Sequence, residues 1–231
     1  MAETLTLTSR EKHLFIEAPK AGPILVDTGS PTSFGRTGQL SITLDGRKFD
    51  ILANDGLLDE ISREVGVETD ILLGVDLLNQ FQAVLFDVPR QEIAFAASGP
   101  APKGQGISLE KVVHGIPVVS IGVNGTTLLA FLDTGAPISY LPQTTLAAAE
   151  FIEKSTDFYP GAGRFAVKVY RTTLTFGRKE FAVHAAPTEC LPRAVASILT
   201  TNATHAILGN EVLENIKVSY LPGAEKLVLH A

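Results

Sequence analysis

Apolar and polar residues alternate with a period of two along much of the chain, as in Thr4-Leu5-Thr6-Leu7-Thr8, Leu40-Ser41-Ile42-Thr43-Leu44 and Phe165-Ala166-Val167-Lys168-Val169. Successive side chains of a strand point to opposite faces, so these runs predict short, half-buried strands. Glycines and prolines punctuate them as turns. A helical pattern is expected only over residues 57–65, 144–154 and 192–199, with single turns at Asp76-Leu77-Leu78 and Glu211-Val212-Leu213. The pattern therefore predicts a mainly β protein with a few short helices.

The same pieces occur twice in the same order. Leu25-Val26-Asp27-Thr28-Gly29-Ser30-Pro31 matches Phe131-Leu132-Asp133-Thr134-Gly135-Ala136-Pro137. A glycine-turned hairpin follows each, around Gly46 and around Gly177. Then comes Leu72-Leu73-Gly74 in one half and Ile207-Leu208-Gly209 in the other, and a pair of strands closes each half. Between the halves, Ala97-Ser98-Gly99-Pro100-Ala101-Pro102-Lys103-Gly104 has the composition of an exposed connection. The expected organisation is two lobes, residues 1–97 and 108–231, joined by a linker at 98–107.

The halves differ in one place. Gly29 and Gly46 are 17 positions apart, whereas Gly135 and Gly177 are 42 apart. The insertion contains Phe158-Tyr159-Pro160-Gly161-Ala162-Gly163-Arg164-Phe165, two extended arms around a glycine-rich tip. The first half has only residues 32–38 in the corresponding position, too few for such a hairpin.

Charge and cysteine content narrow the function. With 19 Lys and Arg against 25 Asp and Glu, the net charge is −6. The basic clustering needed to bind a nucleic-acid backbone is missing. The single Cys190 excludes an internal disulfide and a cysteine-based zinc site. The five histidines stand apart rather than at metal-ligand spacing. No Gly-x-Ser-x-Gly occurs. No apolar run approaches the ~18 residues of a membrane span, and the first ten residues lack the apolar core of a secretory signal. The expectation is a cytoplasmic protein that uses no metal or cofactor and binds neither nucleic acid nor membrane.

One Asp-Thr-Gly can be a simple Asx turn. Two copies, each after apolar residues, before a small residue and Pro, and trailed by an apolar-apolar-Gly triplet, resemble the motifs of aspartic proteases of the pepsin and retropepsin group. The likeness covers nearly the whole chain. It implies a bilobal acid-protease fold with pseudo-twofold symmetry, two retropepsin-sized lobes in one polypeptide, acting as a monomer on an extended peptide or protein substrate. Asp27 and Asp133 would be the catalytic pair. Two close carboxyls cannot both ionise cheaply and share one proton, so one activates water while the other protonates the carbonyl oxygen.

The resemblance assigns the neighbours as well. Thr28 and Thr134 would cross-bond the two loops, and Gly29 and Gly135 would turn N–H groups toward the carboxylates. The Ser30 hydroxyl could bond a carboxylate where Ala136 cannot, which implies an optimum between about pH 4 and pH 6 on the ordinary carboxylate scale. The hairpin tip, Tyr159, Pro160, Gly161, Ala162 and Gly163, would be a substrate-binding flap carried by the second lobe alone. Tyr159 would donate a hydrogen bond near the pair. Apolar residues are expected on both sides of the cleaved bond. The 26 residues before Asp27 leave no room for a pepsin-like propeptide. The alternative on the same fold is a catalytically silent peptide-binding or inhibitor protein.

Overall fold

The computed structural model describes residues 3–18 and 21–230. Met1 and Ala2, part of the segment read for a secretory signal, lie outside the described residues.

Two large sheets carry the molecule. The eleven-stranded sheet runs, neighbour to neighbour, Gln105–Ser108, Lys226–Leu229, Lys217–Leu221, Ala83–Asp87, Glu92–Ala96, Glu3–Arg10, His13–Ala18, Gly22–Val26, Ile71–Leu73, Phe34–Gly35 and Leu52–Ala53. The eight-stranded sheet runs Lys111–Val113, Ile116–Val123, Thr126–Leu132, Ala206–Leu208, Ser139–Leu141, Lys179–Pro187, Gly163–Phe176 and Glu150–Tyr159. A separate ribbon pairs Ser41–Leu44 with Arg47–Asp50 around Asp45 and Gly46, both at positive φ. Glycine tolerates that region freely, which suits the turn between two strands.

The last strands belong to the second half by sequence and to the first half's sheet by hydrogen bonding. Val218 faces Phe86, and Gln105 of the connection faces Leu229. The N-terminal strand, the end of the connection and the C-terminal strands thus form one continuous sheet under both halves. Alternation is realised in the strands that cover it. Leu5 and Leu7 turn inward while Thr4 and Thr6 are exposed.

Among the described residues, three α-helices lie outside the sheets. Helix α1, Asp55–Val65, starts at Asn54, whose side chain accepts the Leu57 N–H at 3.1 Å, and stops at Gly66 in the left-handed region. Its buried side, Leu58, Ile61 and Val65, packs with Phe15, Leu25 and Leu72. Helix α2, Val75–Leu78, is a single turn. Helix α3, Arg193–Thr201, buries Val195 and Leu199 in a second cluster with Phe131, Tyr140 and Ile207. No helix among the described residues is long and apolar enough to cross a membrane.

The helix expected over 144–154 is not formed. Gln143–Leu146 makes one tight turn, and Glu150–Tyr159 is a strand. This strand is at the sheet edge and mostly exposed on both faces, so its sequence shows no period of two. Its pairing with Gly163–Phe176, from Glu150 opposite Arg171 to Tyr159 opposite Gly163, gives it its conformation. The result is a hairpin much longer than its glycine-rich tip suggests.

Candidate active site

The repeated motifs meet at the junction of the two halves. In each half the strand before the aspartate lies parallel to the apolar-apolar-Gly segment, with Leu25 opposite Leu72 and Phe131 opposite Ile207. A third strand pairs antiparallel with that segment, Phe34 opposite Leu72 and Tyr140 opposite Ile207. Asp27 N–H donates to Leu73 O at 3.0 Å, and Asp133 N–H to Leu208 O at 2.9 Å. The two loops are therefore positioned by the same local construction.

Each loop holds its own carboxylate. Gly29 N–H donates to Asp27 Oδ1 at 2.8 Å, and Gly135 N–H to Asp133 Oδ1 at 2.9 Å. The reason for glycine here is close approach rather than an unusual φ. A Cβ on Gly29 would sit 2.4 Å from Asp133 Cγ, and one on Gly135 would sit 2.6 Å from Asp27 Cγ. Each glycine is the bed of the opposite carboxyl. Gly74 and Gly209 are likewise pressed against loop backbone, with Cβ positions 2.7 Å from Ser30 O and 2.6 Å from Ile138 O.

The threonines lock one loop to the other. Thr28 N–H donates to Thr134 Oγ1 and Thr134 N–H to Thr28 Oγ1, both at 2.9 Å. The hydroxyls then donate to carbonyls across the junction, Thr28 to Leu132 O at 2.7 Å and Thr134 to Val26 O at 2.8 Å. Both side chains are buried, so these four bonds lie away from competing water.

Asp27 and Asp133 are half-buried at the cleft floor, each carboxyl lying against the other loop's glycine. Burial pushes both pKa values up. Asp133 is raised well above the usual carboxylate range, with the neighbouring Asp27 carboxylate adding to the effect of burial. The pair therefore keeps one proton where isolated carboxyls would have lost theirs.

The Ser30 side chain departs from expectation. Its hydroxyl donates to Thr32 O at 2.8 Å, an ST-type turn within the loop, and not to a carboxylate. The difference between Ser30 and Ala136 therefore gives no basis for the mild pH optimum read from it.

Two buried serines were overlooked in the sequence. Ser33 Oγ accepts the Gly74 N–H at 2.9 Å, and Ser139 Oγ accepts the Gly209 N–H at 3.1 Å. Each stands six residues after its aspartate, so the repeat contained the signal.

The long hairpin crosses to the first half. Phe158 packs against the α1 cluster. Gly161 N–H reaches both carboxylate oxygens of Glu60 at 3.2 Å, and Arg164 Nε pairs with Glu64 at 2.5 Å. Arg164 is thus an ion-pair partner of α1. Tyr159 and Pro160 line, together with the aspartates, a cavity of about 170 Å³ that Leu57 and Ile61 of α1 also border. A wider apolar cavity of about 390 Å³ continues on the other side, along Val195, Ile198 and Leu199 of α3. Burial and the two aspartates raise the Tyr159 pKa, but its hydroxyl has no hydrogen-bond partner among the described residues. The expected bond from it is not made.

No protein-family model matches the chain, and no curated protein matches it. Among solved structures, the chain is similar to the aspartic proteinase from Irpex lacteus, with a TM-score of 0.57 and 13% identity over 100% of this chain and 97% of that one. The fold is bilobal, mainly β and pepsin-like. At this identity the likeness bears on the fold, and the case for chemistry comes from the side chains described above.

Proposed function

We propose that the chain is an aspartic endopeptidase. The observation that carries this reading is the carboxyl pair itself: two aspartates from equivalent loops, each against the other loop's glycine, both with raised proton affinity at the floor of an apolar cleft. A water held between them loses a proton to the ionised member as it attacks the peptide carbonyl. The protonated member donates to the carbonyl oxygen, and a proton then passes to the leaving nitrogen. The threonine bonds and the two glycine N–H groups fix the carboxyls before substrate arrives, so little reorganisation is needed during reaction.

In this reading residues 1–97 and 108–231 are the two lobes of a monomer, and the substrate is an extended peptide under the hairpin of residues 150–176. The hairpin excludes water and offers tip backbone to the substrate. Apolar side chains on both sides of the scissile bond suit the two cavities that flank the pair. The alternative, a silent peptide-binding protein, loses support because both aspartates and both supporting loops are intact.

The test is incubation with a mixed peptide library from about pH 3 to pH 7, read by mass spectrometry, beside Asp133→Asn. Cleavage that disappears in the variant is the expected result. A wild-type chain that binds library peptides and cuts none of them overturns the enzyme reading in favour of the binding protein.

A further inference from the structure

A third cavity, of about 270 Å³, opens off the cleft between the hairpin and the turn that precedes His13. It shares His13, Asp157 and Phe158 with the cavity over the aspartates. Its character is different. The walls near Asp27 and Asp133 are mainly apolar, whereas this cavity gathers Glu11, Glu64, Asp157, His13 and Arg164.

His13 is only 8% exposed, and its Nδ1 lies 2.8 Å from Glu11 O. A carbonyl only accepts, so Nδ1 carries the proton and Nε2 presents a lone pair. Nε2 has no partner among the described residues. His13 borders both cavities, so this lone pair is open to a donor that enters them.

The carboxylates point the same way. Arg164 answers Glu64. Asp157 accepts the Tyr140 hydroxyl and the Phe158 N–H, the latter at 2.8 Å, which leaves further lone pairs on its two oxygens. Neither Asp157 nor Glu11 has an ion-pair partner among the described residues. The cavity thus offers an unmatched imidazole acceptor and two unmatched carboxylates, and its one guanidinium is already engaged.

We propose that this cavity is a specificity pocket for a basic side chain, lysine or arginine, of the bound peptide. Its ammonium or guanidinium donors meet Asp157, Glu11 and His13 Nε2 while the backbone runs on over the aspartates. An acidic side chain at the same position is rejected by the same groups, so the pocket discriminates by repulsion as well as attraction. The inference rests on the reading of the cleft as a peptide site and adds to its apolar preference a charged position away from the cleaved bond.

The test separates binding from cleavage. N-acetylated fluorescent peptides with one apolar core carry lysine, norleucine or glutamate at a single position, moved stepwise along the sequence. Fluorescence polarisation measures their binding to the Asp133→Asn chain, which is not expected to cut them. At one position lysine should bind about tenfold tighter than norleucine. Adding Asp157→Asn or Glu11→Gln should each reduce that advantage, and raised salt should weaken it. Glu11 is exposed, so its replacement leaves the packing untouched. No position favouring lysine, or an advantage unchanged in both variants, overturns the pocket. Cleavage of the same peptides by the wild-type chain reads the enzyme separately: cutting without a basic preference sinks the pocket alone, and basic-selective binding without cutting sinks the enzyme alone.

Discussion

The two halves build their carboxylate loops alike and their outer walls differently. On the inside, four kinds of bond recur in both loops: aspartate to strand, glycine to carboxylate, threonine to threonine, serine to the glycine behind. On the outside, Gly29 and Gly46 of the first half are 17 positions apart, where the 42 positions from Gly135 to Gly177 in the second half hold a hairpin with arms of ten and fourteen residues. The symmetric part is where two carboxyls must be equivalent enough to share a proton. In the proposed reading the asymmetric part covers one extended peptide, which has no twofold symmetry. The hairpin in turn meets the first half's helix α1 at Glu60 and Glu64.

The comparison is broken most severely at the glycines. Gly29→Ala and Gly135→Ala should each lower kcat/KM by on the order of 100-fold, because the new Cβ displaces the opposite carboxyl and misplacement near 1 Å carries about that cost. Near-equal losses are expected from steady-state kinetics on one peptide. A loss confined to one half would mean that the loops are not equivalent.

The threonine lock comes next. Thr28→Val or Thr134→Val leaves an N–H and a C=O buried without partners, at about 1–3 kcal/mol for each group. Urea unfolding should show a similar loss for both variants, and Thr→Ser, which keeps the hydroxyl, should recover most of it.

Carboxyl burial has its own signature. Asp133 has a folded-state pKa well above its ordinary value of 3.8, so the folded chain binds more protons than the unfolded one between those two values. Its contribution to stability is then fullest below the unfolded pKa and declines as pH rises through the folded one. Asp133→Asn cannot ionise. It should gain on the wild type in urea unfolding when the pH is raised from about 3 to about 7.

The smallest effect sharpens the asymmetric side. Arg164 is 64% exposed, and an exposed ion pair contributes at most about 1 kcal/mol. Glu64→Gln should change kcat/KM less than about fivefold, with raised salt reproducing the change in the wild type. Removing residues 160–163 should instead raise KM by much more than that. Unchanged kinetics after the deletion would remove the hairpin from the account.

What could be read from the sequence follows the same division. The loops were legible because their bonds are local or repeated: Asp-Thr-Gly, the apolar triplets and the turns recur at matching positions. Helix α1 was legible from its 3.6 period, with Leu58, Ile61 and Val65 on one side. The Glu150–Tyr159 strand was not, because an edge strand exposed on both faces has no alternation and takes its shape from its partner. The Ser30 hydroxyl found a nearer acceptor, Thr32 O, than the carboxylate. His13 and Asp157 are 144 positions apart and meet only when the second half's hairpin lies over the first half's strand, so no spacing announces them.

The proposed chemistry depends most directly on the proton shared by Asp27 and Asp133. The decisive measurement is kcat/KM against pH for one cleaved peptide, with Asp27→Asn and Asp133→Asn alongside. In the proposed reading the singly protonated pair is the working form. The wild-type profile should therefore be bell-shaped, falling at low pH when both carboxyls are protonated and at higher pH, above the usual carboxylate range, when both are ionised. Both variants should be inactive to about one part in a thousand or less. A profile with one limb that keeps rising through neutral pH, or substantial activity in either variant, would contradict it.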